Sequence, residues 1–259
     1  NPFREDAIFF NSLILLKEGN LKDALSNFET LKNSTKYHKQ IPYYISKILF
    51  DLDQYKTLVD YLDPLLDSTV YNNYDDLILM CAKSLFYLEK CAPAVVYFEE
   101  YKTLNDSLTK EQLYQIGYSY YQKKLYGFAI DHLNKINILE KDTLTQYAFY
   151  YLGDSYRKIK NKTEAMHAFR SASLLDFDKL IQHDSFYQFA LLCYDQQNPL
   201  YDPLKYLSDF VEKYPNSQHV DQIYTCLANI YINSNNYNDA ILVLEKSKFS
   251  NSLVENQYQ

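Results

Sequence analysis

The chain has 259 residues, a formal net charge of −7, 28 tyrosines, 15 phenylalanines, no tryptophan and only 4 glycines. A typical chain of this length would hold about 18 glycines, at roughly 7%; tight hairpins, bulges and phosphate-binding loops use them, so sandwiches, barrels and nucleotide-binding α/β folds are poorly supported. A 47% hydrophobic content excludes disorder as the main state, and without a dense Lys/Arg run nucleic acid is not an expected partner.

The pattern along the chain is a repeat. A small residue recurs four positions before a large apolar one, at Ala24/Phe28, Leu58/Leu62, Ala94/Phe98, Ala129/Leu133, Ala165/Phe169, Pro203/Leu207 and Ala240/Leu244. Successive pairs are 34 to 38 residues apart. Twelve positions before each first member lie Ser12, Ser46, Ala82, Gly117, Gly153, Leu191 and Ala228. Three positions further on come Leu15, Leu49, Leu85, Tyr120, Tyr156, Tyr194 and Tyr231. Such periods mark repeat architectures, in which each repeat is one supersecondary unit. Here each reads as a helical hairpin, with apolar residues at i, i+3, i+4 and i+7 on its first helix. The fold class is therefore all-α, an α-α superhelix (solenoid) of about seven hairpins. The approximate repeats are 5–38, 39–74, 75–109, 110–145, 146–183, 184–220 and 221–254 of one solenoid spanning 1–259.

Taken in order, the first repeat opens with Ile8, Phe9, Phe10, Leu13, Ile14, Leu15 and Leu16, apolar nearly all round. A terminal repeat needs a polar outer face, and the last hairpin, with Ile241, Leu242, Val243, Leu244 and Phe249, lacks one too. The chain is thus read as an excerpt of a longer array or as self-associating through its ends. Gly19 marks a hairpin turn, and Pro42 opens a first helix. Thr109-Lys110-Glu111-Gln112 and Thr143-Leu144-Thr145-Gln146 fit capping boxes. Gly127 stands at the entry to a second helix. Asp184 is expected to cap a helix, Pro203 to sit in a first turn, and Ser217 or Asp221 to cap the helix after Tyr214-Pro215. No apolar run approaches the about 20 residues of a membrane span.

Small Gly117 and Gly153, aromatic Tyr120 and Tyr156, Ala129 and Ala165, Leu133 and Phe169, and the late Pro215 resemble the tetratricopeptide repeat family. Leu58 and Pro203 depart from it, where alanine is usual. The resemblance implies a protein-binding solenoid. The segments 172–178, 186–190 and 214–217, with the entry Asn1-Pro2-Phe3-Arg4-Glu5-Asp6-Ala7, resemble large envelope-associated tetratricopeptide proteins of Bacteroidota. That likeness implies a periplasmic or outer-membrane-associated location; a cytoplasmic adaptor or regulatory module is the alternative.

Chemistry-bearing patterns are sparse. His38, His132, His167, His183 and His219 have no recognised zinc spacing, so no metal or other cofactor is expected. Ser107-Leu108-Thr109-Lys110 matches SxxK without its companion motifs and reads as a loop into a cap. No enzyme activity is expected. Cys81, Cys91, Cys193 and Cys226 form no CxxC pair and read as small buried hydrophobes. Asp67-Ser68-Thr69, Asp106-Ser107-Leu108 and Asp142-Thr143-Leu144 look like the O-glycosylation acceptors of Bacteroidota envelope proteins, at Ser68, Ser107 and Thr143. Helix capping accounts for the same residue types.

In stacked hairpins the first helices line the concave surface. The stripe beside the packing stripe carries Tyr114, Tyr118 and Tyr121 in the fourth repeat, Tyr147, Tyr150, Asp154 and Arg157 in the fifth, and Lys83 with Phe86 in the third. Tyrosine and arginine are common interface anchors. The expected function is a scaffold that holds a peptide or partner protein there. Part of this tyrosine is equally expected to pack against neighbouring repeats.

Overall fold

The computed structural model describes residues 2–67, 71–196 and 200–247, leaving aside the side chains of residues 2 and 3. Fourteen helices and no strand occur among the described residues. They fall into two compact halves, Asn1–Leu125 and Tyr126–Gln259, and the division comes at the turn of the fourth predicted hairpin. In the N-terminal half lie α1 (Pro2–Lys17), α2 (Leu21–Thr30), α3 (Ile41–Asp51), α4 (Tyr55–Leu62), α5 (Tyr74–Tyr87), α6 (Cys91–Leu104) and α7 (Lys110–Gln122). The C-terminal half holds α8 (Tyr126–Leu133), α9 (Thr143–Lys158), α10 (Lys162–Ser173), α11 (Lys179–Gln196), α12 (Pro203–Lys213), α13 (Val220–Asn233) and α14 (Tyr237–Lys246).

Within each half, a helix packs on its hairpin partner and on the first helix of the next repeat. The small/large pairs are the seam of this packing. Ala24, Phe28, Leu58, Leu62, Ala94, Phe98, Ala165 and Phe169 are all at most 1% exposed. Ser12, Ser46, Ala82 and Gly153 are buried on the facing first helices. At Gly153 the approach is closest: a Cβ there would come within 2.9 Å of the Phe169 ring. That contact accounts for a helix-interior glycine, which otherwise costs about 1 kcal/mol against alanine.

The hairpin turns repeat as faithfully. Gly19, Asp53, Glu89, Lys124, Lys160 and Asn235 all have φ between 55° and 79°. Each is followed by a residue whose N–H reaches back five positions, as from Gln54 to Leu49, Lys90 to Leu85 and Asn161 to Tyr156. This is the Schellman termination, for which glycine is the usual left-handed residue. Here five of the six positions carry a side chain, at a conformational cost of roughly 1 kcal/mol each. Low glycine content is thus compatible with tight turns when the turn terminates a helix.

The caps hold in part. Thr109 and Gln112 form the complete capping box before α7, and Pro42 and Pro203 sit in the first turns of α3 and α12. Three expectations need correction. Asp142, not Thr143, caps α9 by accepting from the Thr145 N–H at 2.8 Å; an aspartate one position earlier completes the same geometry. Asp184 lies inside α11, because Asp178 already accepts the Leu180 and Ile181 N–H groups at 2.9 and 3.1 Å. Neither Ser217 nor Asp221 caps α13, whose N-cap is His219 without a side-chain bond.

Phe10 and Ile14, one turn apart on α1, are 58% and 55% exposed, and Leu242 on α14 is 54% exposed. All four cysteines are buried free thiols.

Candidate partner-binding surface

The N-terminal half places Lys83, Tyr114, Tyr118 and Tyr121 on α5 and α7, which pack side by side. The Thr109–Gln112 box starts α7, and buried Ile116, Ser119 and Tyr120 hold one face against its neighbours. The i, i+4, i+7 stripe beside that face is therefore left half-buried. Tyr114 stacks on Tyr118 with centroids 5.9 Å apart, and Tyr118 on Tyr121 at 6.4 Å. Phe86, from α5, meets Tyr118 edge to face at 5.8 Å. The result is an aromatic row across two adjacent first helices.

Lys83 is not a free cation beside this row. Its ammonium lies 3.1 Å from Glu111, and the same carboxylate accepts from Gln115 at 3.0 Å and from the Tyr87 hydroxyl at 3.4 Å. The pair clamps α5 to α7. A shallow cleft of about 190 Å³ lies further back, between α3 and α5, with Tyr43, Lys47, Asp76, Met80 and Lys83 in its lining.

The C-terminal half places Tyr147, Tyr150 and Arg157 on α9. The Tyr147 hydroxyl donates to Asp178, at the start of α11. That bond, with the Ile181 and Leu180 N–H groups, holds the Asp178 carboxyl below its ordinary range. Tyr150 sits edge to face on Phe169 at 6.0 Å. Burial, then a hydrogen bond to Asp184, raises its phenol above the usual range. Arg157 Nε donates to Asp154 at 2.9 Å, and Asp154 is only 6% exposed.

One residue of this joint is absent from the sequence-based candidates. Gln146 has no exposed surface. Its amide nitrogen donates to the Leu175 carbonyl at 2.7 Å and the Asp178 carbonyl at 3.1 Å, while its oxygen accepts the Asp178 N–H at 2.7 Å. It staples the start of α9 to the link between α10 and α11. A glutamine three positions after a threonine reads as a capping-box partner, and in α7 it is one; only the shift of the α9 cap to Asp142 frees Gln146 for this use.

Of the proposed acceptor residues, Ser107 is exposed between α6 and α7, and Thr143 is exposed at the first residue of α9. Ser68 lies outside the described residues. Among those residues, no helix is long and apolar enough to cross a membrane, and no group of three or more His, Cys, Asp or Glu side chains is placed to hold a metal ion.

Residues 147–172, which cover most of α9 and α10, match the tetratricopeptide repeat family. A solved structure of the C-terminal part of a TPR repeat-containing protein from Cytophaga hutchinsonii is similar, with a TM-score of 0.55 and 18% identity over 97% of this chain and 99% of that one. A tetratricopeptide repeat protein from Parabacteroides merdae has a TM-score of 0.51 and 14% identity over 97% and 96%. YrrB, described as a TPR protein with an unusual peptide-binding site, has a TM-score of 0.50 and 18% identity over 73% and 89%. No curated protein sequence matches the chain. At these identities the structural likeness speaks to the fold alone. Residues 147–172 thus match a tetratricopeptide repeat, and the helical hairpins on either side of them share the fold of the tetratricopeptide structures that the chain resembles.

Proposed function

We propose that the chain is a non-catalytic scaffold that binds a peptide or partner protein along its first helices, within a bacterial envelope complex. The observation that carries this reading is the half-exposed aromatic row Phe86, Tyr118, Tyr114 and Tyr121, which spans two adjacent helices. Stacked tyrosines present large area with polar tips and lose little side-chain freedom on binding. A photo-reactive residue at Tyr118 in the native host tests it. The scaffold reading expects a discrete partner crosslink from Tyr118 and none from Val96, which is 62% exposed on α6. Equal crosslinking from both positions would overturn it.

The envelope location rests on the Bacteroidota-like segments and on the Asp-Ser/Thr-Leu tripeptides. Ser107 and Thr143 are the described residues proposed to carry O-linked sugars. Recovery of the native protein in the periplasmic or outer-membrane fraction, with sugar mass on either residue, is the expected outcome. Unmodified protein confined to the cytoplasm would refute the location. Exposed Phe10 and Ile14 support self-association through α1; sedimentation of the wild type as a monomer at all concentrations would remove that proposal.

A further inference from the structure

At the end of the aromatic row, a cleft of about 520 Å³ opens where the α5–α6 turn meets α7, lined by Phe86, Glu89, Cys91, Ala92, Tyr118, Gln122 and Lys123. Its volume falls within the range of ligand pockets, roughly 300–1,000 Å³. Phe86 and Tyr118 form one aromatic corner, with their rings edge to face. Gln122 Nε2 donates to the Tyr118 hydroxyl at 2.5 Å, which fixes that ring. Cys91 and Ala92, the first two residues of α6, supply the apolar floor. Burial pushes the Cys91 thiol above its ordinary pKa, so it is a neutral surface there and not a nucleophile.

The rim carries one carboxylate, Glu89, one ammonium, Lys123, and one carboxamide, Gln122. Their charges cancel. A phosphate or a polyacid would meet Glu89 as a like charge, and a polycation would meet Lys123. An uncharged ligand with both a donor and an acceptor meets neither penalty, and a backbone peptide group is such a ligand. We propose that this cleft takes one large apolar side chain, aromatic or aliphatic, from an extended peptide segment, whose backbone groups reach Glu89, Gln122 and Lys123. The inference rests on the reading of the aromatic row as a peptide site and adds the chemistry of the residue that anchors there.

A random twelve-residue library displayed on phage and selected against the full chain tests it. The expected enrichment is for Phe, Tyr, Trp or Leu flanked by uncharged residues; enrichment of acidic or basic runs instead, or no enrichment, overturns the proposal. The strongest selected peptide is then measured against Ala92→Tyr, which fills the cleft from an exposed helix position, and against Tyr114→Ala. Affinity at least tenfold weaker in Ala92→Tyr, with unchanged helical content, supports the cleft. Unchanged affinity in Ala92→Tyr overturns the cleft assignment. Loss in Tyr114→Ala alone then leaves the row intact as the site, whereas loss in neither variant removes both.

Discussion

Helices α7 and α9 are equivalent elements of successive repeats, yet they spend their tyrosines differently. Tyr114 and Tyr150 share a register position 36 residues apart, as do Tyr118 and Asp154, and Tyr121 and Arg157. On α9, Tyr147 reaches Asp178 just before α11 and Tyr150 reaches Asp184 within it, and Asp154 holds Arg157 against its own helix. On α7 the tyrosines stack along the helix and continue onto Phe86 of α5. On α9 the carboxylates at 178 and 184 make tyrosines part of the joint between repeats; on α7 the stacked rings form a row that continues onto the preceding first helix. Other tyrosines bond carboxylates of the preceding repeat, as in Tyr97 to Asp63 at 2.9 Å and Tyr120 to Glu99 at 2.7 Å.

Breaking the joint should cost stability in proportion to what each contact buries. Phe169→Ala removes a ring that is 1% exposed and packed on Gly153 and Tyr150. The expected loss is about 3–5 kcal/mol, from the cavity and the lost transfer energy, read as a lower denaturant midpoint. Gln146→Ala strands buried backbone groups of Leu175 and Asp178, and should cost about 1–3 kcal/mol. Protection from hydrogen exchange should fall first at the start of α11. Tyr147→Phe keeps the ring and deletes only the donor to Asp178. About 1 kcal/mol is expected in thermal melts, with a smaller acid dependence below pH 4, because the lowered Asp178 carboxyl contributes stability that is lost as pH falls through its folded value.

A smaller effect distinguishes the last repeats. His183 accepts or donates at 2.8 Å to Ser217, and its ring lies 4.7 Å from Tyr214 and 5.9 Å from His219. Burial, then His219, depresses its pKa below 6.5, against the pull of Asp184. The unfolded chain binds this proton more readily, so stability is complete above pH 6.5 and declines as pH falls through the folded value. His183→Asn should flatten that slope between pH 7 and pH 5 in denaturant titrations. An unchanged slope would assign it to other groups.

The repeat and its seam were legible because small and large residues recur at fixed spacing and the structure buries nearly every pair. Helix starts were less legible. Asp142 and Thr143 are adjacent, both can cap, and only the packing of Gln146 against α10 and α11 decides between them. At α11 the start likewise falls earlier than expected, at Asp178, which accepts the Leu180 and Ile181 N–H groups and leaves Asp184 inside the helix. The glycine deficit was a sound signal against sheets but a poor guide to the turns, where Asp53, Glu89, Lys124, Lys160 and Asn235 adopt the left-handed conformation themselves. For the candidate surface, periodicity located the stripe on each helix. It could not report that Tyr147 and Tyr150 reach Asp178 and Asp184, because those carboxylates lie about thirty residues away, where no local pattern reaches.

The contrast between α7 and α9 is tested most directly by pairing affinity with stability in two variants, Tyr114→Ala/Tyr118→Ala and Tyr147→Phe, using the strongest peptide from the displayed library. The α7 variant should bind at least tenfold more weakly at a temperature where its helical content is intact, while Tyr147→Phe should melt earlier and keep its affinity. The reverse assignment, with affinity lost at Tyr147 and retained in the α7 variant, would contradict the account.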